Sequence, residues 1–313
     1  MHDNAINHAL VFIKPEAANH AAAVAHVHQV LAANAVQIRR EGVLTGSEMA
    51  AANLLDQHYL PIATAACQVR AQDLPLTAAA RQQFRSAFGI EWDHAAVVNA
   101  DEAQQRYRLD AERLAQLCLQ APQRARLAPG VYVAKPAIDD TADVYVVNGF
   151  YPELRQRYLR PEAHVRWLDV QFTSADLHWQ DFRDSVIGAT DPATARPGSL
   201  RRQFYQQAPQ YGLSVPVSIR FNCIHASASA LEGSRERLIW CKLKPSQDPF
   251  LQSLHASGID WPLIQTFLRN PMVRWQNQPE QPLFDIVEDL DASAAQMRLL
   301  SIAPQLQEQR KAA

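Results

Sequence analysis

The apolar positions of this chain fall into short runs and helical repeats that follow one another in a regular order. Ala9-Leu-Val-Phe-Ile13 is a continuous apolar run closed by Lys14-Pro15, which predicts a buried strand ending at a cleft, because proline cannot extend a ladder. Ala17 to Asn34 then repeats Ala, Val and Leu at helical spacing, and Val36 to Leu44 returns to strand character. Ser47 stands where it can cap a helix running through Leu54 and Leu55 to Tyr59, with Pro61 as its stop. His164 to Phe172 is a further strand, followed by Ser174 as the cap of a helix over Asp176 to Ile187. Val215 to Phe221 alternates apolar and polar residues as a half-buried strand does and leads into Asn222-Cys-Ile-His225. Ser227 and Ser229 are N-cap candidates for a helix from Ala230 to Leu238.

Between Tyr59 and His164 the pattern continues without a break. Leu76 to Phe88 and Asp101 to Leu119 have helical composition, with Thr77 and Asn99 as caps. Val131 to Ala134 and Asp143 to Val147 predict two strands around the turn-rich Pro136 to Asp140, and Tyr151 to Tyr158 predicts a helix. Apolar periodicity without a Gly/Ser or Pro tract marks an ordered subdomain rather than a linker. From Cys241 onward Pro245, Pro249, Pro262, Pro271, Pro279 and Pro282 alternate with large apolar residues, Trp261 and Trp275 among them. That predicts an ordered arm packed on the core or on a neighbouring subunit, with disorder only after about Gln305.

Composition narrows the class. The 313 residues are 48% hydrophobic and 20% charged, as in soluble globular proteins, and no apolar run reaches membrane-spanning length. The N-terminal Met-His-Asp-Asn-Ala lacks the basic and apolar regions of a signal peptide, so a cytoplasmic location is the expectation. Cys67, Cys118, Cys223 and Cys241 are scattered without metal-ligand spacing, which argues against a disulfide framework or a zinc site. A net charge of −2 offers no electrostatic case for nucleic acid as a partner.

The candidate chemistry lies at His225. A histidine between a strand and a helix start is close to unbonded backbone amides, where a phosphate finds donors and a favourable dipole, and imidazole is a competent nucleophile at neutral pH. One reading is therefore a transiently phosphorylated histidine; the other is a packing residue, one of 11 histidines. Arg183, Thr190, Arg196 and Arg201 flank a proline-containing loop nearby in sequence. Phosphoryl transfer spreads charge over three equatorial oxygens, so guanidinium and hydroxyl donors suit it, although such a cluster is also compatible with a solvated surface.

Ala9-Leu-Val-Phe-Ile-Lys-Pro-Glu16, Gln57-His-Tyr59, Ile187-Gly-Ala-Thr-Asp-Pro192, Arg196-Pro-Gly-Ser-Leu-Arg201 and Asn222-Cys-Ile-His-Ala-Ser-Ala-Ser229 resemble, in that order, the nucleoside diphosphate kinase family. The resemblance implies an α/β (α+β) sandwich of ferredoxin-like βαββαβ type with a four-stranded antiparallel sheet, interrupted by an inserted subdomain. The core would comprise 1–61 and 164–250, the insertion 62–163, and a C-terminal extension 251–313. It also implies that His225 is the phosphorylated nucleophile and Glu236 the carboxylate orienting its ring. Lys14 and Arg201 would bind the transferring phosphates, Tyr59 would assist at the γ-phosphate, Thr190 would hold the β-phosphate, Asn222 would bind the sugar hydroxyl, and Ser227 would sit beside the histidine. Magnesium would arrive on the nucleotide phosphates, since no carboxylate cluster in the sequence reads as a dedicated metal cage. Compact family members assemble through core surfaces, so a homo-oligomer is implied as well.

The chain departs from the family pattern at several points. Asp184 occupies the position where the family has an arginine, with Arg183 one residue earlier; on a helix that is a rotation of about 100 degrees, so Arg183 can substitute only if the helix is shifted. Ala226 and Ala228 replace a glycine and an acidic residue beside the histidine, and the loop through Gln206 to Tyr211 lengthens the path from Arg201 to Asn222. Three functions remain compatible with these residues. They are γ-phosphate transfer from a nucleoside triphosphate to a nucleoside diphosphate, the same phosphohistidine chemistry with a narrower acceptor, and nucleotide-binding regulation without turnover.

Overall fold

The N-terminal apolar run forms strand β1, Ile6–Ile13. In the computed structural model, which describes residues 5–138 and 143–312, β1 is an inner strand of a four-stranded antiparallel sheet. The other strands are β2, Gln37–Thr45, β3, His164–Thr173, and β4, Ile224–Ala226, in the order β2-β3-β1-β4. With helix Ala21–Ala33 between β1 and β2, and Trp179–Asp181 and Leu200–Gln207 between β3 and β4, the first unit is an α+β sandwich of ferredoxin-like βαββαβ type. The register sets the faces: Val11 pairs with Leu168 and Ala226, and Phe12 pairs with Trp167 and His225. Ala9, Val11 and Ile13 face the main apolar core with Val27, Leu31 and Phe182, the side chains larger than alanine each contributing about 1.5–3 kcal/mol when buried. Phe12 points the other way and stacks on Trp240 of helix Ala230–Trp240, ring centroids 4.7 Å apart. That helix settles on β1 because Gly233 has no Cβ; one placed there would come within 2.9 Å of the His8 carbonyl.

The chain divides into two compact units, Met1–Leu44 with His164–Ala313, and Thr45–Ala163. The division falls at Thr45, ahead of the expected 62–163 insertion, and the C-terminal segment belongs to the first unit. Its helices Pro249–Ala256, Trp261–Leu268 and Ala292–Ala312 bury Leu254, Ile264, Phe267, Leu299 and Ile302 in the main core. The second unit has its own sheet, in the order Val97–Asn99, Tyr145–Val147, Val131–Lys135, Gln123–Ala128, the first pair parallel. One apolar cluster gathers around Phe84, Trp92 and Tyr145, another around Leu114, Val146 and Tyr151. No described helix is long and apolar enough to cross a membrane.

Several expected elements take a different form, each for a local reason. Val215 to Phe221 is not a strand: Pro216 lacks an amide, and Ser218 and Phe221 exchange backbone hydrogen bonds in a tight turn, so extended pairing begins only at Ile224. Thr45, not Ser47, caps the next helix through a reciprocal capping box with Glu48. Helices expected to be continuous break where a residue adopts positive φ, at Asn53 and at Arg108. Pro61 begins a short helix, Leu60–Ala63, instead of ending one. The helix expected over Asp176 to Ile187 begins instead at Trp179, with His178 at its N-cap position, and the Trp179 amide donates to Asp291 Oδ1, 2.8 Å away and 112 residues on. The expected disordered end is helical through Ala312. Asp139 and Asp140 of the expected turn, and the first four residues, lie outside the described residues.

Candidate active site

Strand β4 carries His225 opposite Phe12, and the imidazole stacks on the Phe12 ring at 4.5 Å and 21°. Its Nε2 lies 2.7 Å from Glu236 Oε1 on helix Ala230–Trp240. The Glu236 side chain is 2% exposed and that of His225 19%, so the contact is largely shielded from water. Ser227 Oγ donates to Glu236 Oε2 at 2.6 Å and accepts from the Leu10 amide at 2.9 Å, which ties the carboxylate to β1. Phe12 and Ser227 thus hold the ring and its carboxylate in place. Phe12 was hidden from sequence reasoning, because a phenylalanine in an apolar run reads as core.

The turn into β4 is held by a second carboxylate. Cys223 adopts φ +65°, a conformation that costs a side-chain-bearing residue about 1–3 kcal/mol. Its amide donates to Glu16 Oε1 at 3.0 Å, and its carbonyl accepts from the Lys14 amide at 2.9 Å. Glu16 falls within the quoted motif, yet nothing in its spacing announced this role. Lys14 Nζ donates to Asn222 Oδ1 at 2.6 Å, and Asn222 Nδ2 donates to the Thr190 carbonyl at 3.1 Å. Lys14, Asn222 and the Thr190 carbonyl are therefore brought together.

An open cleft of about 550 Å³ lies against His225, lined by Arg183, Thr190, Arg201, Glu232, Glu288 and Asp289 among others. Arg201 donates to the Ile224 carbonyl from Nη2 at 2.9 Å and to the Gly188 carbonyl from Nη1 at 2.8 Å, so it staples the Gly188 loop to β4. Gly188 is required there: φ is +95°, and a Cβ would collide with Ser199. Arg183 Nη1 donates to Glu288 Oε1 at 2.7 Å and Asp289 Oδ1 at 2.6 Å. Burial alone would lower the Arg183 pKa, but the bonds to Asp289 and Glu288 outweigh it and raise it. Arg196 is exposed and pairs with Asp184 at 3.3 Å; it is not among the cleft-lining residues.

Glu232 is a cleft residue the sequence did not single out beyond its place on the helix. Burial and then the charge of Glu236, one helical turn on, push its pKa up to about 8, while the Ala228 amide bonded to its Oε2 at 3.1 Å acts in the opposite direction. Tyr59 belongs to the second unit, between helices Leu54–His58 and Leu60–Ala63, where it packs against the Leu114 cluster and stands edge-on to His58 at 4.4 Å.

No protein-family model and no curated protein matches the sequence. Among solved structures the chain is distantly similar to nucleoside diphosphate kinases. The apo enzyme of Encephalitozoon cuniculi shares 12% identity over 75% of this chain and 88% of that one, with a TM-score of 0.36. That of Aquifex aeolicus shares 14% over 75% and 94%, with a TM-score of 0.38. That of Borrelia burgdorferi, a transition state mimic with bound vanadate and ADP, shares 14% over 78% and 90%, with a TM-score of 0.34.

Proposed function

We propose that the His225 cleft transfers the γ-phosphate of a nucleoside triphosphate to a nucleoside diphosphate through phospho-His225. The observation that carries this reading is the buried Glu236 carboxylate on His225 Nε2, beside a cleft that also presents Arg183, Thr190 and Arg201. With Nε2 engaged by Glu236, the imidazole would attack through Nδ1. The Nδ1 lone pair forms the P–N bond, the bond from the γ-phosphorus to the bridging oxygen breaks, and the departing diphosphate takes that electron pair. Glu236 stabilises the positive charge that develops on the ring. In the second half-reaction a terminal oxygen of the acceptor diphosphate attacks phosphorus, the P–N bond breaks, and the ring recovers its electron pair.

Lys14, Arg201 and Arg183 would neutralise the phosphates, Thr190 would donate to the β-phosphate, and Asn222 would bind the sugar hydroxyl. The substrate would be the magnesium–nucleotide complex. One observation favours an alternative. Glu288 and Asp289 already neutralise Arg183 at the cleft, and an incoming polyphosphate would meet their charge. That arrangement suits a narrower acceptor, or a nucleotide-binding regulator without turnover.

Incubation with γ-labelled ATP and magnesium tests the reading. Label is expected on His225 in an acid-labile, base-stable bond, absent in His225→Ala and transferable to added diphosphates. Nucleotide binding without label would establish the regulatory alternative.

A further inference from the structure

A second cavity of the first unit, about 280 Å³, shares no lining residue with the His225 cleft. His8, Arg39, Arg40, Asp169, Arg237 and Gln247 are among its walls. Arg237, one position past Glu236 on the helix, is fully buried. Its Nη2 donates to Asp248 Oδ2, and its Nε stands 3.7 Å from Asp169 Oδ1, too far for a hydrogen bond. Nε and Nη1 are buried with no hydrogen-bond partner.

The neighbouring carboxylates are already occupied. Asp248 Oδ1 accepts from Ser234 Oγ at 2.8 Å and the Leu251 amide at 3.0 Å, and Asp169 Oδ2 accepts from Arg40 Nε at 3.0 Å and Nη2 at 2.8 Å. Arg39, Arg40 and Arg237 set three positive charges against the negative charges of Asp169 and Asp248, with Arg39 reaching solvent. His8 adds none near neutral pH, because burial, reinforced by Arg237, holds its pKa down at about 4. Buried guanidinium N–H groups without acceptors, beside more positive than negative charge, suit an anion in both geometry and charge. Water would satisfy only the geometry.

We propose that this cavity binds a small tetrahedral oxyanion of the phosphate class, held by Arg237 Nε and Nη1 with Arg39 and Arg40. Its volume lies at the lower edge of the roughly 300–1,000 Å³ of pockets that take drug-sized ligands, which suits a small anion. The site stands independently of any chemistry at His225.

Crystals soaked in tungstate, a phosphate analogue with a strong anomalous signal, locate the ion directly. A peak between Arg237 and the Arg39–Arg40 pair is expected. In solution, inorganic phosphate titrated at matched chloride ionic strength should still bind His225→Ala. Arg39→Gln should weaken that binding by about tenfold, the loss expected for one charge-assisted contact. Arg39 is an exposed strand residue bonded to Gln171, so this variant keeps the fold. Tungstate found only in the His225 cleft, water alone in the second cavity, or phosphate binding lost in His225→Ala and intact in Arg39→Gln would each overturn the assignment.

Discussion

Between Arg183 and Gly188 the backbone makes a π turn, Phe182–Ile187, in which the Gly188 amide donates to the carbonyl five residues back, at 2.9 Å. A regular α-helix would place Asp184 one turn before the glycine, where the family resemblance expects an arginine. The wider turn absorbs that one-residue offset and puts the half-buried Arg183 beside the cleft, while exposed Asp184 pairs with Arg196. Arg183→Ala is therefore expected to slow His225 phosphorylation by about tenfold to a thousandfold, the range for one transition-state donor, and Asp184→Ala to have little effect. Replacing Glu288 and Asp289 together by Gln and Asn should raise nucleotide affinity by releasing Arg183; single-turnover labelling and equilibrium binding measure both effects. Equal losses for Arg183→Ala and Asp184→Ala would show that the offset is not absorbed. His225 stood out in the sequence because a strand pattern and a helix start bracket it, and Glu236 through the family resemblance. The sequence could not reveal Glu288 and Asp289, which reach Arg183 from more than a hundred residues away.

At the scale of elements, β1 links two charged regions, with Phe12 under the imidazole at one end and His8 beside Arg237 at the other. His8 faces Arg237, Arg39 and Arg40 as well as Asp169 and Asp248, and burial is the largest cause of its depressed pKa. A histidine whose folded pKa, about 4, lies below its ordinary 6.5 binds protons more readily once unfolded. Its contribution to stability is complete above pH 6.5 and is lost as pH falls toward 4. His8→Asn should flatten the loss of stability across that window, followed by denaturant unfolding in phosphate-free buffer. An unchanged acid slope would show that other groups carry it. Strand β1 was legible in its continuous apolar run, Ala9 to Ile13, and β3 in the recurring apolar positions of His164 to Phe172, whereas β2 is largely polar and showed only through Val36, Ile38, Val43 and Leu44. Strand β4 was placed too early because Val215 to Phe221 alternates correctly, yet Pro216 and the Ser218–Phe221 turn prevent pairing.

At the scale of the whole molecule, the ordered C-terminal segment, expected on the core or on a neighbouring subunit, lies in the main core, although its spaced prolines did not announce helices. Pro249 and Pro262 sit in the first turns of helices, where a missing amide costs nothing, so they begin core helices rather than space out an arm. The second unit offers a similar lesson for its arginines. Arg155 and Arg157, with Tyr132, Tyr145, Phe150 and Tyr151, have the composition of a lid that closes over a ligand. Within the unit, however, Arg155 Nε donates to Asp56 Oδ1 at 2.9 Å, Tyr151 donates to the same oxygen at 2.5 Å, and Arg157 pairs with Glu153 at 3.0 Å. Tyr145 is buried in the Phe84 cluster. These contacts commit the arginines to holding their own unit together. Arg155→Ala is expected to reduce hydrogen-exchange protection in peptides from Thr45–Ala163, since it leaves Asp56 with one partner fewer. It should not slow transfer to the acceptor diphosphate more than phosphorylation of His225, when single-turnover rates of the two half-reactions are compared. Selective slowing of the acceptor step, with protection unchanged, would instead show that Arg155 leaves Asp56 to meet the acceptor.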